Sequence, residues 1–105
     1  GEHSADAVRR EVREELGIGC TVRQLAFVGE HLFTVHDIPN HRIEFHYLVE
    51  VDSEAVPITT CEEEHRYPCA WLPLDSLADY PLKPEFLTHE LPQWNGKLKH
   101  LATHE

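Results

Sequence analysis

The sequence predicts an α/β fold, in which a helix and several strands share one hydrophobic core. Residues 4–16 place apolar side chains at helical spacing beside an acidic face. Residues 21–28 and 42–51 are rich in β-branched and aromatic residues, and the second segment alternates apolar and polar positions. The composition, 41% hydrophobic and 27% charged, is ordinary for a globular protein. A chain of 105 residues is therefore expected to form a single domain over residues 1–105.

The first eighteen residues are predicted to contain the helix. Ser4 is a candidate N-cap, and Asp6 adds negative charge to the first turn, where the helix dipole favours it. Gly17 is placed to close the last turn in the left-handed conformation. The expected packing stripe consists of Ala5, Val8, Val12 and Leu16.

Three carboxylates lie next to this stripe. Glu11, Glu14 and Glu15 are spaced i, i+3 and i+4, which on a helix puts them on one face, within reach of one divalent cation. Arg10 precedes Glu14 by four residues and is predicted to pair with it. From these residues alone, a solvated acidic face and a metal site are equally supported.

An antiparallel hairpin is predicted after the helix. Residues 21–28 form its first strand, and residues 31–36 form either a second strand or a continuation past a bend at Gly29. Turn-forming residues occupy 37–40, and residues 42–51 form the other arm, with Ile43, Phe45, Tyr47, Val49 and Val51 on one face.

The remaining segments are less strongly patterned. Residues 70–74 are predicted to form a short strand, with a helical turn at 75–77. A last helix is expected over residues 84–91 and is ended by Pro92. Residues 93–105 are expected to be a frayed tail.

The net charge, the lack of long apolar runs and the cysteines argue against several classes of protein. The net charge of −10 argues against a general nucleic-acid-binding protein, because such a surface repels phosphate backbones. No apolar run is long enough to span a membrane. Cys20, Cys61 and Cys69 are odd in number and form no C-x-x-C pair, which indicates reduced thiols and a cytoplasmic protein.

The acidic helix also carries a recognisable motif. Glu2, seven further residues, and then Arg10-Glu11-Val12-Arg13-Glu14-Glu15-Leu16-Gly17-Ile18 resemble the Nudix box, G-x5-E-x7-R-E-U-x-E-E-x-G-U, where U is a bulky aliphatic residue. The resemblance implies a Nudix-type α/β/α sandwich with a mixed sheet, whose loop–helix segment spans residues 1–18. It also implies an enzyme that uses Mg²⁺ or Mn²⁺ to hydrolyse the pyrophosphate of a nucleoside diphosphate linked to another moiety.

The match to the box starts at Glu2. The first motif glycine would lie six residues before Glu2, and in the family strands of the sheet precede it, whereas this sequence starts at Gly1. We therefore expect an N-terminally truncated domain. Two interpretations stay open: a second copy or another partner covers the exposed sheet, or a missing N-terminal segment completes it.

The resemblance also assigns roles to residues of the box. It implies that Glu11, Glu14 and Glu15 are the metal ligands and that one of them serves as the base, which the sequence does not identify. Arg10, counted among the catalytic residues, and Glu2 would orient these ligands. Many relatives add a carboxylate from a later loop. Glu63 and Glu64 are the candidates here, with a solvated acidic loop equally supported; the residues that bind the substrate are not identified.

Several other residues allow more than one interpretation. A non-catalytic Nudix-fold module that binds nucleotides is the alternative function, which the intact acidic set disfavours. Zinc binding by Cys61, His65 and Cys69 is disfavoured, because their spacing would need an unbroken helix through Pro68. Trp71 and Phe45 could stack on a base, although core packing is the preferred interpretation. His41 and Arg42 could contact substrate, although a surface turn is preferred.

Overall fold

The fold is built around a three-stranded mixed sheet. The computed structural model describes residues 1–52 and 69–104, so Glu63, Glu64, Cys61 and His65 lie outside the described residues. Along the chain, the elements are helix α1 (Ser4–Leu16), strands β1 (Cys20–Val35) and β2 (Ile38–Val51), a 3₁₀ helix (Leu74–Asp79), helix α2 (Leu87–Glu90) and strand β3 (Lys99–His104). The strand order is β2-β1-β3, with β1 antiparallel to β2 and parallel to β3.

The predicted hairpin of β1 and β2 is confirmed, but its details differ from the prediction. Strand β1 continues without interruption through Gly29, which pairs with Glu44, so residues 31–36 are the continuation of the first strand and not a separate one. The turn falls at His36 and Asp37, whose φ angles are 50° and 65°. Pro39 belongs to β2 instead, because a strand that is hydrogen-bonded to one neighbour in this sheet tolerates a residue without an N–H.

The two faces of the sheet carry different helical segments. Tyr47 lies on the face covered by α1, since its hydroxyl is 2.6 Å from Ser4 Oγ. Phe27 pairs with His46, the neighbour of Tyr47, and therefore lies on the opposite face. There its ring contacts the C-terminal part of the chain, 5.9 Å from Phe86 between ring centroids. This layering confirms the predicted α/β class of the α/β/α type.

The buried core of the described residues is small. It consists of Phe27, which is only 1% exposed, together with Ala26 and Leu77. Helix α1 contains no fully buried residue, so its apolar stripe packs only partly against the sheet. Large apolar side chains also remain exposed on the α1 face of the sheet, among them Ile43 and Phe45.

The C-terminal part departs most from the sequence-based expectations. Residues 70–73 form no strand, and the tail expected to fray contains β3 instead. Trp71 and Phe45 are 66% and 52% exposed, so the preference for core packing was wrong for both. For Phe45 the reason is that α1, which covers this face of the sheet, contains no fully buried residue and packs only partly against the strands.

Two further expectations concern cysteines and membranes. Cys20 is a free thiol, in agreement with the prediction for that residue. Among the helices of residues 1–52 and 69–104, none is long and apolar enough to cross a bilayer.

Candidate functional site

Helix α1 carries the candidate site, and contacts at both ends of the helix determine where the helix begins and ends. Gly17 adopts φ 70°, and its N–H donates to the carbonyl of Arg13, as predicted for the C-terminal end. The prediction for Ser4 was wrong: His3 is the N-cap, and no side chain caps the helix. Ser4 is the first helical residue, and its hydroxyl bonds to Tyr47, which ties the start of α1 to β2.

The three box carboxylates all lie within this helix. Glu11 and Glu14 have side chains that are 59% and 60% exposed, and Glu15 is half-buried. The helical spacing puts all three on one side of α1. However, in residues 1–52 and 69–104 no three His, Cys, Asp or Glu side chains are gathered closely enough to hold a metal ion. The helix therefore supplies oxygen donors without assembling them into a closed cage.

Arg10 is the centre of the charged network on this helix. Its Nε donates to Glu2 Oε1 at 2.9 Å, and its Nη1 donates to Glu14 Oε2 at 3.1 Å. A third carboxylate, Glu11, lies 3.9 Å from Nη2. The predicted pairing of Arg10 with Glu14 is thus confirmed, and Arg10 joins the segment before the helix to the acidic face.

The contacts of Arg10 also affect its pKa. The hydrogen bond to Glu2, the charge of that carboxylate and the contact with Glu14 raise the pKa of Arg10 above its ordinary value. Arg10 consequently stays charged throughout the range in which proteins are folded. Its positive charge offsets part of the repulsion among neighbouring carboxylates, which otherwise disfavours their helical arrangement.

The donor set fits a hard divalent cation. Carboxylate oxygens are the ligands that Mg²⁺ prefers, and Mg²⁺ is usually bound by one or two carboxylates together with substrate oxygens. An all-protein cage is therefore not required. Because Glu11 is largely exposed, its side chain has room to turn toward an ion that a phosphate brings with it.

A cavity on the other face of the sheet was not identified from the sequence. It has a volume of about 630 Å³, and its walls include Gly29, Arg42, Lys83 and Phe86. A Cβ atom on Gly29 would lie 3.2 Å from the Phe86 ring. A glycine inside a strand marks such close approaches, and Gly29 was the available signal. The segments that form the cavity are too distant in sequence for a local pattern to connect them.

The fold and the helix together define a class of protein: an α/β/α domain with an arginine-centred acidic helix on one face of a mixed sheet. The profile of the NUDIX domain matches residues 1–94. The chain belongs to the Nudix family. This is a family of pyrophosphohydrolases, which generally use divalent metals such as Mg²⁺ and act on small nucleotide substrates. A search of curated proteins found no match to this chain.

Proposed function

We propose that this protein is a metal-dependent hydrolase of the pyrophosphate in a nucleoside diphosphate linked to another moiety. The single observation that carries the proposal is the Arg10 network, which ties Glu2 and Glu14 together on a helix that also bears Glu11 and Glu15. A purely solvated acidic face would gain little from such an arrangement, since exposed ion pairs contribute little to stability.

Glu11, Glu14 and Glu15 would hold the metal, Mg²⁺ or alternatively Mn²⁺. When bound, the ion would neutralise charge on the phosphate oxygens and lower the pKa of coordinated water. One of the three glutamates accepts the proton of the attacking water, and all three remain candidates for that role. Glu63 and Glu64 remain candidates for a further carboxylate.

Arg10 acts as a positioning residue in this proposal. Its contacts with Glu2 and Glu14 fix the direction in which the Glu14 carboxylate points, because a guanidinium holds its partners in a planar fork. Orienting groups of this kind typically change metal affinity or activity by about 10- to 100-fold when they are removed.

We also infer a small-molecule substrate and a cytoplasmic location. The net charge of −10 disfavours nucleic acid as the substrate, and Cys20 is a free thiol. It stays a prediction that a second copy, or an N-terminal segment, covers the exposed apolar face.

The test replaces Glu14 and Glu15 by Gln, singly and together, in the full-length protein. Hydrolysis is measured with Mg²⁺ on ADP-ribose, diadenosine polyphosphates, sugar nucleotides and nucleoside triphosphates. We expect turnover of at least one class and a loss of about 10²-fold or more in each variant. Asp79→Asn is the matched control, because Asp79 is an exposed carboxylate in the 3₁₀ helix, outside the box.

Undiminished Mg²⁺-dependent turnover in the Glu14→Gln/Glu15→Gln variant would refute the assignment of these ligands. Binding of a nucleotide by the wild type without turnover of any substrate would instead support the non-catalytic module.

A further inference from the structure

Two cationic side chains line the cavity on the face opposite α1. Arg42 and Lys83 both line it, and within residues 1–52 and 69–104 neither side chain forms a salt bridge. Arg42 is held in place by the ring of Phe33, whose centroid is 5.0 Å from the guanidinium carbon. Arg42 and Lys83 are therefore two cations of one cavity wall that no carboxylate contacts within the described residues, and both can take up an anionic group of a ligand.

Three carboxylates also belong to the described cavity wall, and one of them is already hydrogen-bonded. Glu30 is hydrogen-bonded by the Nε2 atoms of His41 and His100, both at 3.0 Å. Glu44 lies 3.8 Å from His46 Nε2 and is only partly exposed. Glu85 is the remaining carboxylate of the wall, and it forms no salt bridge in the described part of the chain. It opposes anion binding, and its effect can be measured directly.

We propose that this cavity binds a small molecule through a phosphoryl group placed between Arg42 and Lys83. A phosphate monoester carries about −1.5 to −2 charges at neutral pH and thus matches two cations, whereas a single carboxylate matches one. The planar guanidinium suits phosphate oxygens, and the lysine ammonium adds a point charge. The volume of about 630 Å³ suits a ligand of metabolite size. This inference does not rest on the proposed hydrolase function.

The test measures binding of inorganic phosphate and of glycerol 3-phosphate by calorimetry, with acetate as the carboxylate arm. EDTA is present throughout, so that no metal at the acidic helix contributes. We expect saturable binding of both phosphoryl probes and a loss of about tenfold in Arg42→Gln and in Lys83→Gln. Glu85→Gln should act in the opposite sense and tighten binding, because it removes the opposing charge.

Lys97→Gln is the matched control, since it makes the same change of charge away from this cavity and should bind phosphate as the wild type does. Arg42→Lys keeps the positive charge and should retain part of the affinity for phosphate. This variant separates the loss of charge in Arg42→Gln from a folding defect. The proposal is overturned if the wild type does not bind phosphate, if acetate binds as tightly, or if Lys97→Gln loses as much affinity as the cavity variants. Glu14→Gln should leave phosphate binding intact, so failure here and failure of the hydrolase proposal are distinguishable.

Discussion

At the scale of single residues, His46 shows how burial and polarity conflict in this small core. Its ring lies edge-on to Phe86, with 5.3 Å between the ring centroids. Its Nε2 atom is buried and has no hydrogen-bond partner among the described residues, because Glu44 at 3.8 Å is too far away. A buried polar atom left without a partner costs about 1–3 kcal/mol.

We therefore predict that His46→Phe is neutral or stabilising, by up to about 1 kcal/mol, because the ring contact is kept and the unpaired nitrogen is removed. Urea unfolding of the two proteins measures the difference. His41→Phe is the control: it removes a histidine that does have a partner, Glu30, and should bring no gain. A clear loss of stability in His46→Phe would show that Nε2 is satisfied in solution.

Arg10 yields a prediction about pH. Its pKa is raised above the ordinary arginine value by Glu2 and then by Glu14, so its contribution is fully present below the ordinary pKa and is lost only as the pH rises through the raised pKa. We expect Arg10→Gln to lower kcat/KM by about 10- to 100-fold, by the same factor at every pH between 7 and 10. Arg10→Lys should recover only part of the activity, because an ammonium lacks the fork geometry.

Profiles of kcat/KM against pH for the three proteins provide the measurement. If the loss in kcat/KM of Arg10→Gln changed steeply between pH 7 and 10, another titrating group, and not Arg10 itself, would determine that loss.

At the scale of elements, the hairpin turn is strained by its own residues. His36 and Asp37 both have positive φ, as the central pair of a type I′ turn requires, and this conformation costs residues with a Cβ atom about 1–2 kcal/mol each. The hairpin forms nevertheless, because the long ladder between β1 and β2 fixes its register.

Replacing His36-Asp37 by Asn-Gly should raise the free energy of unfolding by about 0.5–1 kcal/mol, since this pair suits the type I′ conformation best. Thermal and urea unfolding would detect the gain. Pro-Gly at the same positions is the control and should destabilise, because proline is fixed near φ −65°. Equal stability of the Asn-Gly variant and the wild type would indicate a different turn in solution.

At the scale of the whole molecule, elements that depend on residues close in sequence could be predicted. Pairings between distant segments could not. The acidic helix and the hairpin follow from residues close in sequence, as does the contact between Arg10 and Glu14. Strand β3 pairs with β1 in parallel, with Lys99 beside Phe27, and no local signal reveals such a partner. The cavity was missed for the same reason, because residues around Gly29 and around Lys83 meet only in the folded chain.

Strand β3 carries the last prediction. It lies beyond residue 94, where the family match ends, yet it supplies the second neighbour of β1. Its Thr103 also bonds to His31 Nδ1 at 2.6 Å. At roughly 1 kcal/mol per backbone hydrogen bond, removing residues 99–105 should cost about 3 kcal/mol or more and lower the urea midpoint of the fold as a whole. Thr103→Val, which removes only the contact with His31, should cost no more than about 1 kcal/mol. If the shortened chain unfolds at the same urea concentration as the full chain, β3 does not contribute to the cooperative unit, and its parallel pairing with β1 is not maintained in solution.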